Sequence, residues 1–210
     1  MIIILSKSVF FISGMKLIIQ ESNNEEIISQ NVITPDFYPC DIEFHDEEKT
    51  LILIDHSTHD IALLIDALNI KLLKPKAIVI SFINADTCRT YFEDILLNAL
   101  SSYISDYRIH IEFVREIIST ALLGEVITLP AQDVMWMHLA EQFQITKRET
   151  TIFIYIICGY NNKQIARLLK LSCKTISLYR ANIYKKLHVK NVSGLGMFLN
   201  QDTLSYSAGM

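Results

Sequence analysis

Short apolar runs alternate with amphipathic stretches over roughly the first 125 residues. Buried strands are predicted where the runs are uninterrupted, at residues 2–5, 51–54, 77–82 and 102–104. Helical spacing of apolar residues predicts helices at 9–19, 60–73, 91–100 and 111–123. This alternation is typical of a doubly wound α/β domain with a parallel sheet. The acidic segment 21–48 gives no clear element.

The last quarter of the chain predicts short helices with recognisable start signals. Thr146 and Glu149 form an S/T-x-x-E capping box, and Gly159 is a suitable helix end. Asn161 or Asn162 can cap a helix over residues 163–170, and Ser172 can cap one from 173 to about 187. The second of these helices should turn its apolar residues inward: Ile165, Ala166, Leu168 and Leu169. Three capped helices with a tight turn between the last two predict a helix-turn-helix.

The third helix has two distinct sides when its residues are placed at about 100° intervals. Ile176, Ile183 and Leu187 form a narrow apolar stripe, bordered by Tyr179, that should face the core. The opposite side has lysines around small and polar residues, and it contains no acid: Lys174, Ser177, Leu178, Ala181, Asn182 and Lys185. Such a side can approach a DNA major groove, with cations on phosphates and small residues near base edges.

Charge is distributed unevenly along the 210 residues, although the net value is only −4. Residues 1–145 contain 9 Lys and Arg against 21 Asp and Glu, a balance of −12. Residues 146–199 contain 10 Lys and Arg against a single acid, Glu149, a balance of +9. A basic module joined to an acidic one indicates a polyanion-binding unit with a separate control unit.

The stretch "ITKRETTIFIYIICGYNNKQIARLLKLSCKTISLYRANIYKKLHVKN" resembles the LuxR/FixJ-type DNA-binding domain without a gap. The resemblance implies that Ser177, Leu178 and Ala181 face the bases. It also implies backbone contacts from Lys163, Thr175 and Lys186, and dimerisation through a fourth helix at 193–199. The candidate DNA-contacting residues are therefore Asn162, Lys163, Lys174, Thr175, Ser177, Leu178, Ala181, Asn182, Lys185 and Lys186. Because Ser177 and Tyr179 stand where the family often has a basic residue and His, the target sequence cannot be transferred.

The first domain resembles the receiver domain of response regulators. Asp55 in "LILIDHS" takes the phosphoacceptor's place, and Ser81 takes that of the Ser or Thr switch. Phosphorylation of an aspartate needs Mg²⁺ held by oxygen ligands. The place of the receiver's acidic pair reads Ser6-Lys7-Ser8, and the place of its conserved lysine is Asp106. We therefore predict an atypical receiver in which Asp55 is a remnant or a structural acid. Lys7, together with the hydroxyl pair of Ser6 and Ser8, would form a salt bridge to Asp55 in place of the metal.

The remaining features exclude several classes of protein. Cys40, Cys88, Cys158 and Cys173 form no CxxC pair, which favours reduced thiols and a cytoplasmic location. The chain has no targeting pattern and no apolar run of about 18 residues, so we expect no membrane segment. We also expect no cofactor, no metal site and no enzymatic activity, because no nucleophile–base pattern or phosphate-binding glycine loop is present.

These observations predict an α/β domain at 1–124, a linker with a short helix from Pro130 at 125–144, a helix-turn-helix domain at 145–200 and a tail at 201–210. The expected function is a bacterial transcription regulator that binds double-stranded DNA as a homodimer, without phosphorylation. Two alternatives remain open. One is an accessory regulator that forms a heterodimer with another LuxR/FixJ-type protein, and the other is a response regulator phosphorylated at Asp55. RNA polymerase is a candidate partner in each case.

Overall fold

The computed structural model describes residues 1–21, 32–33, 49–123 and 130–200. They separate into two compact units. The first unit consists of Met1–Cys88 with Leu100–Thr128, and the second of Arg89–Ala99 with Leu129–Met210. The predicted helix end at Gly124 and the tail at 201–210 lie outside the described residues.

The first unit contains a parallel sheet, as the alternation of apolar runs predicts. Its strands are β1 (Ile2–Leu5), β2 (Val32–Ile33), β3 (Leu51–His56), β4 (Ile78–Ile83) and β5 (Tyr103–Asp106). They are arranged in the order β2-β1-β3-β4-β5, and every neighbouring pair is parallel. Strand β2 comes from the segment that gave no prediction, and most of that segment is not among the described residues.

Three helices of this unit follow strands, and the structure gives them bounds close to the predicted ones: α1 (Val9–Glu21), α2 (Ile61–Leu73) and α4 (Ile111–Leu123). Asp60 caps α2, since its side chain accepts a hydrogen bond from the Ala62 amide at 3.0 Å. One face of the sheet packs against α1 and α4, because alternate strand residues point to the same side. That core contains Ile2, Ile4, Leu51, Leu53, Ile80, Phe82, Met15, Ile18, Ile19, Val114, Ile118 and Ala121.

Strand β3 is two residues longer than predicted, and this changes the setting of Asp55. All six residues of β3 are buried, including Asp55 and His56. Leu5 pairs with Ile54, so Ser6, the first residue after β1, comes level with Asp55. Asp55 is thus part of a buried strand instead of lying just beyond it.

The second unit is helical. It contains α3 (Tyr91–Leu100), α5 (Ala131–Phe143), α6 (Lys147–Ile157), α7 (Asn162–Leu169), α8 (Cys173–Lys186) and α9 (Val192–Leu199). The capping box of Thr146 and Glu149 is present at the start of α6, and Gly159 after its end has a positive φ of 83°. Asn161, not Asn162, caps α7, and it forms a second capping box with Gln164. Ser172 caps α8 as predicted.

The apolar positions of α7 and α8 are largely where the sequence places them. Ile176, Ile183 and Leu187 are completely buried, as are Ile165 and, nearly so, Ala166. The prediction was wrong for Leu168, which is 51% exposed. An eight-residue helix is little more than two turns long, so a stripe of four apolar residues on it is wider than the surface that its neighbours can cover.

Aromatic side chains form the centre of the helical unit. The Phe92 ring of α3 meets Phe153 edge-to-face at 5.6 Å and Phe198 at 5.9 Å between ring centroids. Phe143 contacts Phe198 at 5.5 Å and the Tyr91 ring at 6.3 Å. Helix α3 therefore supplies core residues to the helical unit, although the chain order and the sequence pattern associate it with the α/β domain.

Replacing Phe92 by Ala should destabilise the helical unit by about 3–5 kcal/mol, because it removes a ring that is only 2% exposed and leaves a cavity between two others. Trp136 is the chain's one tryptophan and lies on α5, so its fluorescence during urea unfolding reports on this unit. Phe10→Ala is the matched control, since Phe10 is 90% exposed on α1. Equal unfolding midpoints for the two variants would contradict the role given to Phe92.

Candidate nucleic-acid interface

Helix α8 has one side whose residues are exposed to solvent. Six side chains on it are exposed, and they define what is called here the outer face of α8: Lys174, Ser177, Leu178, Ala181, Asn182 and Lys185. Tyr179 is half-buried at its border. These positions recur along α8 every three or four residues, which is the spacing that keeps side chains on one side of a helix. The structure thus separates the two sides of α8 as the sequence predicts.

Two lysines bracket the outer face and no acidic residue lies on it. Lys174 is in the first turn of α8 and Lys185 in the last. They are 11 positions apart in the sequence, which corresponds to about 16 Å along a helix axis. The major groove of B-DNA is about 12 Å wide, so cations at this separation can reach phosphates on both of its edges.

The turn between α7 and α8 is held by local hydrogen bonds. Lys170 ends α7 in the left-handed conformation, at φ 54° and ψ 45°, and its amide donates to the carbonyls of Ala166 and Arg167. The Ser172 hydroxyl then accepts from the Thr175 amide at 3.0 Å and lies 2.8 Å from the Thr175 hydroxyl. Thr175, a candidate for a DNA-backbone contact, therefore uses its hydroxyl group in the cap that starts α8.

Asn162 connects α7 to the outer face. Its Nδ2 atom donates to the Ser177 hydroxyl at 2.9 Å. The bond joins the first residue of one helix to the second turn of the next. Two predicted site residues are thus brought together, and Lys163 beside them is exposed.

Lys186 does not lie on the outer face, and its ammonium group is engaged within the helical unit. Its ammonium donates to Glu149 Oε2 at 2.6 Å and to the Gln144 carbonyl at 2.9 Å. Glu149 is only 4% exposed, so this cation neutralises a buried carboxylate at the start of α6. Burial raises the pKa of Glu149, but hydrogen bonds from Lys186 and Thr146 outweigh it and leave the pKa below its ordinary value. Glu149 is the single acid of the basic module, and that signal could have identified its need for a partner.

Arg180 also points away from the outer face, and sequence reasoning gave it no role. Its Nη2 atom donates to the Tyr160 carbonyl at 3.1 Å, and its Nη1 atom lies 3.4 Å from the Tyr184 hydroxyl. The guanidinium therefore ties α8 to the segment between α6 and α7. Because Arg180 is turned away, the only cations of the outer face are Lys174 and Lys185, near the two ends of α8.

In the α/β unit, Asp55 is enclosed by hydroxyl groups. Ser6 Oγ donates to Asp55 Oδ2 at 2.7 Å, and Ser57 Oγ donates to Oδ1 at 2.5 Å. The Ser57 amide adds a third hydrogen bond at 3.2 Å, and Asp55 is only 3% exposed. Both carboxylate oxygens are thus engaged by neutral donors.

Three neighbours expected near Asp55 are engaged elsewhere. Lys7 forms its salt bridge with Asp60, so the predicted pairing with Asp55 was wrong. The Ser81 hydroxyl lies 2.7 Å from that of Ser101. Asp106 accepts from Arg108 Nε at 2.8 Å, and the hydrogen bonds from Arg108 hold the pKa of Asp106 well below its usual range. The pair of Asp106 and Arg108 is exposed and screened by solvent, so it adds little to the stability of the fold.

Comparison with known proteins finds a family match for the last part of the chain. Residues 144–199 match the family described as "Bacterial regulatory proteins, luxR family". The chain is 44% identical over 48 residues to the "Fimbriae Z protein" of Escherichia coli K12, a match that covers 23% of each protein. It is 35% identical over 75 residues to the "Oxygen regulatory protein NreC" of Staphylococcus aureus RF122, covering 35% of this chain and 34% of that one. The matched part thus spans about a quarter to a third of these curated relatives.

Several solved structures that align with most of this chain are response regulators. The response regulator StyR aligns over 94% of this chain and 96% of its own, with 16% identity and a TM-score of 0.43. A complex of the two-component response regulator RcsB with DNA aligns over 94% and 96%, with 18% identity and a TM-score of 0.38. Among the described residues, no helix is long and apolar enough to cross a membrane.

The ion pair of Glu149 and Lys186 makes the stability of the helical unit depend on pH. A carboxylate whose folded pKa lies below its unfolded value stabilises the fold above the unfolded pKa, and this contribution is lost as pH falls through the folded pKa. We expect Glu149→Gln to cost about 1.5–3 kcal/mol at pH 7, the range for hydrogen bonds to charged groups. The difference from the parent chain should shrink as pH falls below the ordinary value of 4.5. Urea unfolding followed by Trp136 fluorescence at pH 7 and pH 4 measures it, and a difference that stays constant would refute the depressed pKa.

Proposed function

Because residues 144–199 are a luxR-family regulatory domain, we propose that this chain is a sequence-specific transcription regulator that binds double-stranded DNA through α8. The observation that supports the proposal most strongly is the outer face of α8, with its two bracketing lysines and no acid. Exposed protein faces normally mix charges of both signs. A face with only positive charge, on the second helix of a helix-turn-helix, suits a negatively charged groove.

The contacts divide into two kinds in this proposal. Lys174, Lys185 and the exposed Lys163 bind phosphates and so set the position of the helix. Ser177, Leu178, Ala181 and Asn182 lie between them and face base edges. Lys186 and Arg180 hold α8 in place from the inner side, and Asn162 holds it through Ser177.

We further propose that the regulator works without phosphorylation of Asp55. The two serine hydroxyls on Asp55 favour this, because they occupy both oxygens of the group that would attack a phosphoryl donor. The positions that supply carboxylates for Mg²⁺ in receivers contain Ser6, Lys7 and Ser8 here, and these offer no negative charge to hold the ion. Input would then come from a partner, a ligand or the amount of the protein.

We also propose that the chain dimerises through α9. Leu195, Phe198 and Leu199 are buried within the unit, whereas Val192 and Met197 are 63% and 68% exposed. Gly196 is exposed between them, and no other atom lies within 4 Å of the place that its Cβ would occupy. A second α9 could therefore approach the backbone closely at this point. Sedimentation of the purified chain tests for the homodimer.

Removing the bracketing lysines should weaken DNA binding and lower its dependence on salt. Each phosphate contact contributes about −0.9 to the slope of log Kobs against log salt concentration, so Lys174→Gln and Lys185→Gln should each reduce that slope by about one. Fluorescence anisotropy with a duplex selected from a random library measures both quantities. Lys16→Gln, on the exposed surface of α1, is the control and should leave the slope unchanged. Equal slopes for all variants would rule out the proposed docking.

Incubation with acetyl phosphate and Mg²⁺ should leave the mass of the intact chain unchanged, because Asp55 is enclosed and lacks acidic neighbours that would bind the metal. Mass spectrometry of the parent chain and of Asp55→Asn measures this directly. A gain of one phosphoryl group that disappears in Asp55→Asn would show instead that the aspartate is active and that a kinase should be sought.

A further inference from the structure

Leu178 is the largest side chain at the centre of the outer face of α8, and it is 64% exposed. The apolar interior of the unit does not use it, since the buried stripe of the same helix consists of Ile176 and Ile183 on the opposite side. A single exposed leucine is common on protein surfaces. This one is distinguished by its place on the proposed DNA-facing side, four residues after Lys174 and seven before Lys185.

The outer face of α8 carries no arginine, the side chain that reads guanine best. Guanine is recognised in the major groove mainly by the paired donors of Arg, or by Lys, at its O6 and N7 atoms. Positions 177, 178 and 181 are Ser, Leu and Ala, and the guanidinium of Arg180 is bound to the Tyr160 carbonyl. The two lysines of the outer face stand at the ends of α8, where the groove edges and their phosphates would be.

The groups that remain suit an A·T base pair. An apolar side chain distinguishes thymine through its C5 methyl group, which projects into the major groove, and Leu178 and Ala181 are the apolar groups available. Asn182 is four residues after Leu178, on the same side of the helix, and an asparagine amide can pair with adenine N6 and N7. Ser177 accepts a hydrogen bond from Asn162, which restrains the helix at this level.

From this arrangement we propose that Leu178 is a specificity-determining residue that recognises the methyl group of a thymine in the DNA target. Ala181 adds a second, smaller apolar contact beside it. The inference rests on the proposed function and deepens it, because it states which feature of the base pair the centre of α8 recognises.

The test removes the methyl group from the DNA and the leucine from the protein, separately and together. A duplex selected with the full chain is remade with deoxyuridine at one thymine position at a time, which deletes only the methyl group. We expect one or two positions at which the parent chain binds about fourfold more weakly, corresponding to about 0.8 kcal/mol for a lost methyl contact. Leu178→Ala and Leu178→Asn should bind the thymine duplex more weakly and should show no loss at those positions.

Matched controls separate this inference from the general one. Leu168→Ala removes another half-exposed leucine, on α7 and outside the outer face, and it should retain the full deoxyuridine effect. If the parent chain binds the selected duplex with no sensitivity to deoxyuridine, or if Leu178→Ala retains that sensitivity, the thymine contact is refuted while DNA binding stands. If no duplex is selected and none binds, the proposed function fails and the thymine contact fails with it.

Discussion

The orientation of α8 depends on one buried ion pair. Glu149 lies at the first turn of α6, where its carboxylate accepts from the Thr146 amide, and Lys186 reaches it from the last turn of α8. The carboxylate is thus shared between the start of one helix and the end of another. Removing Lys186 would leave the Glu149 carboxylate, whose side chain is only 6% exposed, with little access to water, which is far more costly than losing an exposed pair. The ion pair thus adds a fixed point at the inner end of α8 to the burial of Ile176, Ile183 and Leu187, which turns the outer face outward.

The sequence was sufficient to predict most of the helical unit, because local signals determine it. Side chains of Thr146, Asn161 and Ser172 satisfy backbone groups a few residues away, so their spacing alone locates the helices. The exposed and buried sides of α8 follow from its periodicity. By contrast, the contacts of Lys186 and Arg180 join residues that are distant in sequence. A lysine or arginine on the border of a helix can turn either way, and only the packed structure decides which way it turns.

The α/β unit illustrates a different limit of prediction from sequence. Four of its strands begin in apolar runs, and the pattern therefore located these four to within two residues at either end. The chemistry of Asp55 was harder to predict, because it depends on the register between β1 and β3 that brings Ser6 alongside it. Residue types alone suggested Lys7 as the partner, since opposite charges attract. The structure instead gives Asp55 two hydroxyl groups and places Lys7 against Asp60, which keeps the ammonium group in solvent. A long cation is easier to accommodate at the surface than beside a buried strand.

The position of Phe92 also has a consequence for the order in which this protein can form during synthesis. Its partners Phe153 and Phe198 follow it by 61 and 106 residues in the chain. At a translation rate of 5–20 residues per second, Phe92 leaves the ribosome about 5–20 s before Phe198 does. Over that interval the aromatic ring must stay in solvent or pack against something else. The aromatic core of the helical unit can therefore close only after Phe198 has been synthesised.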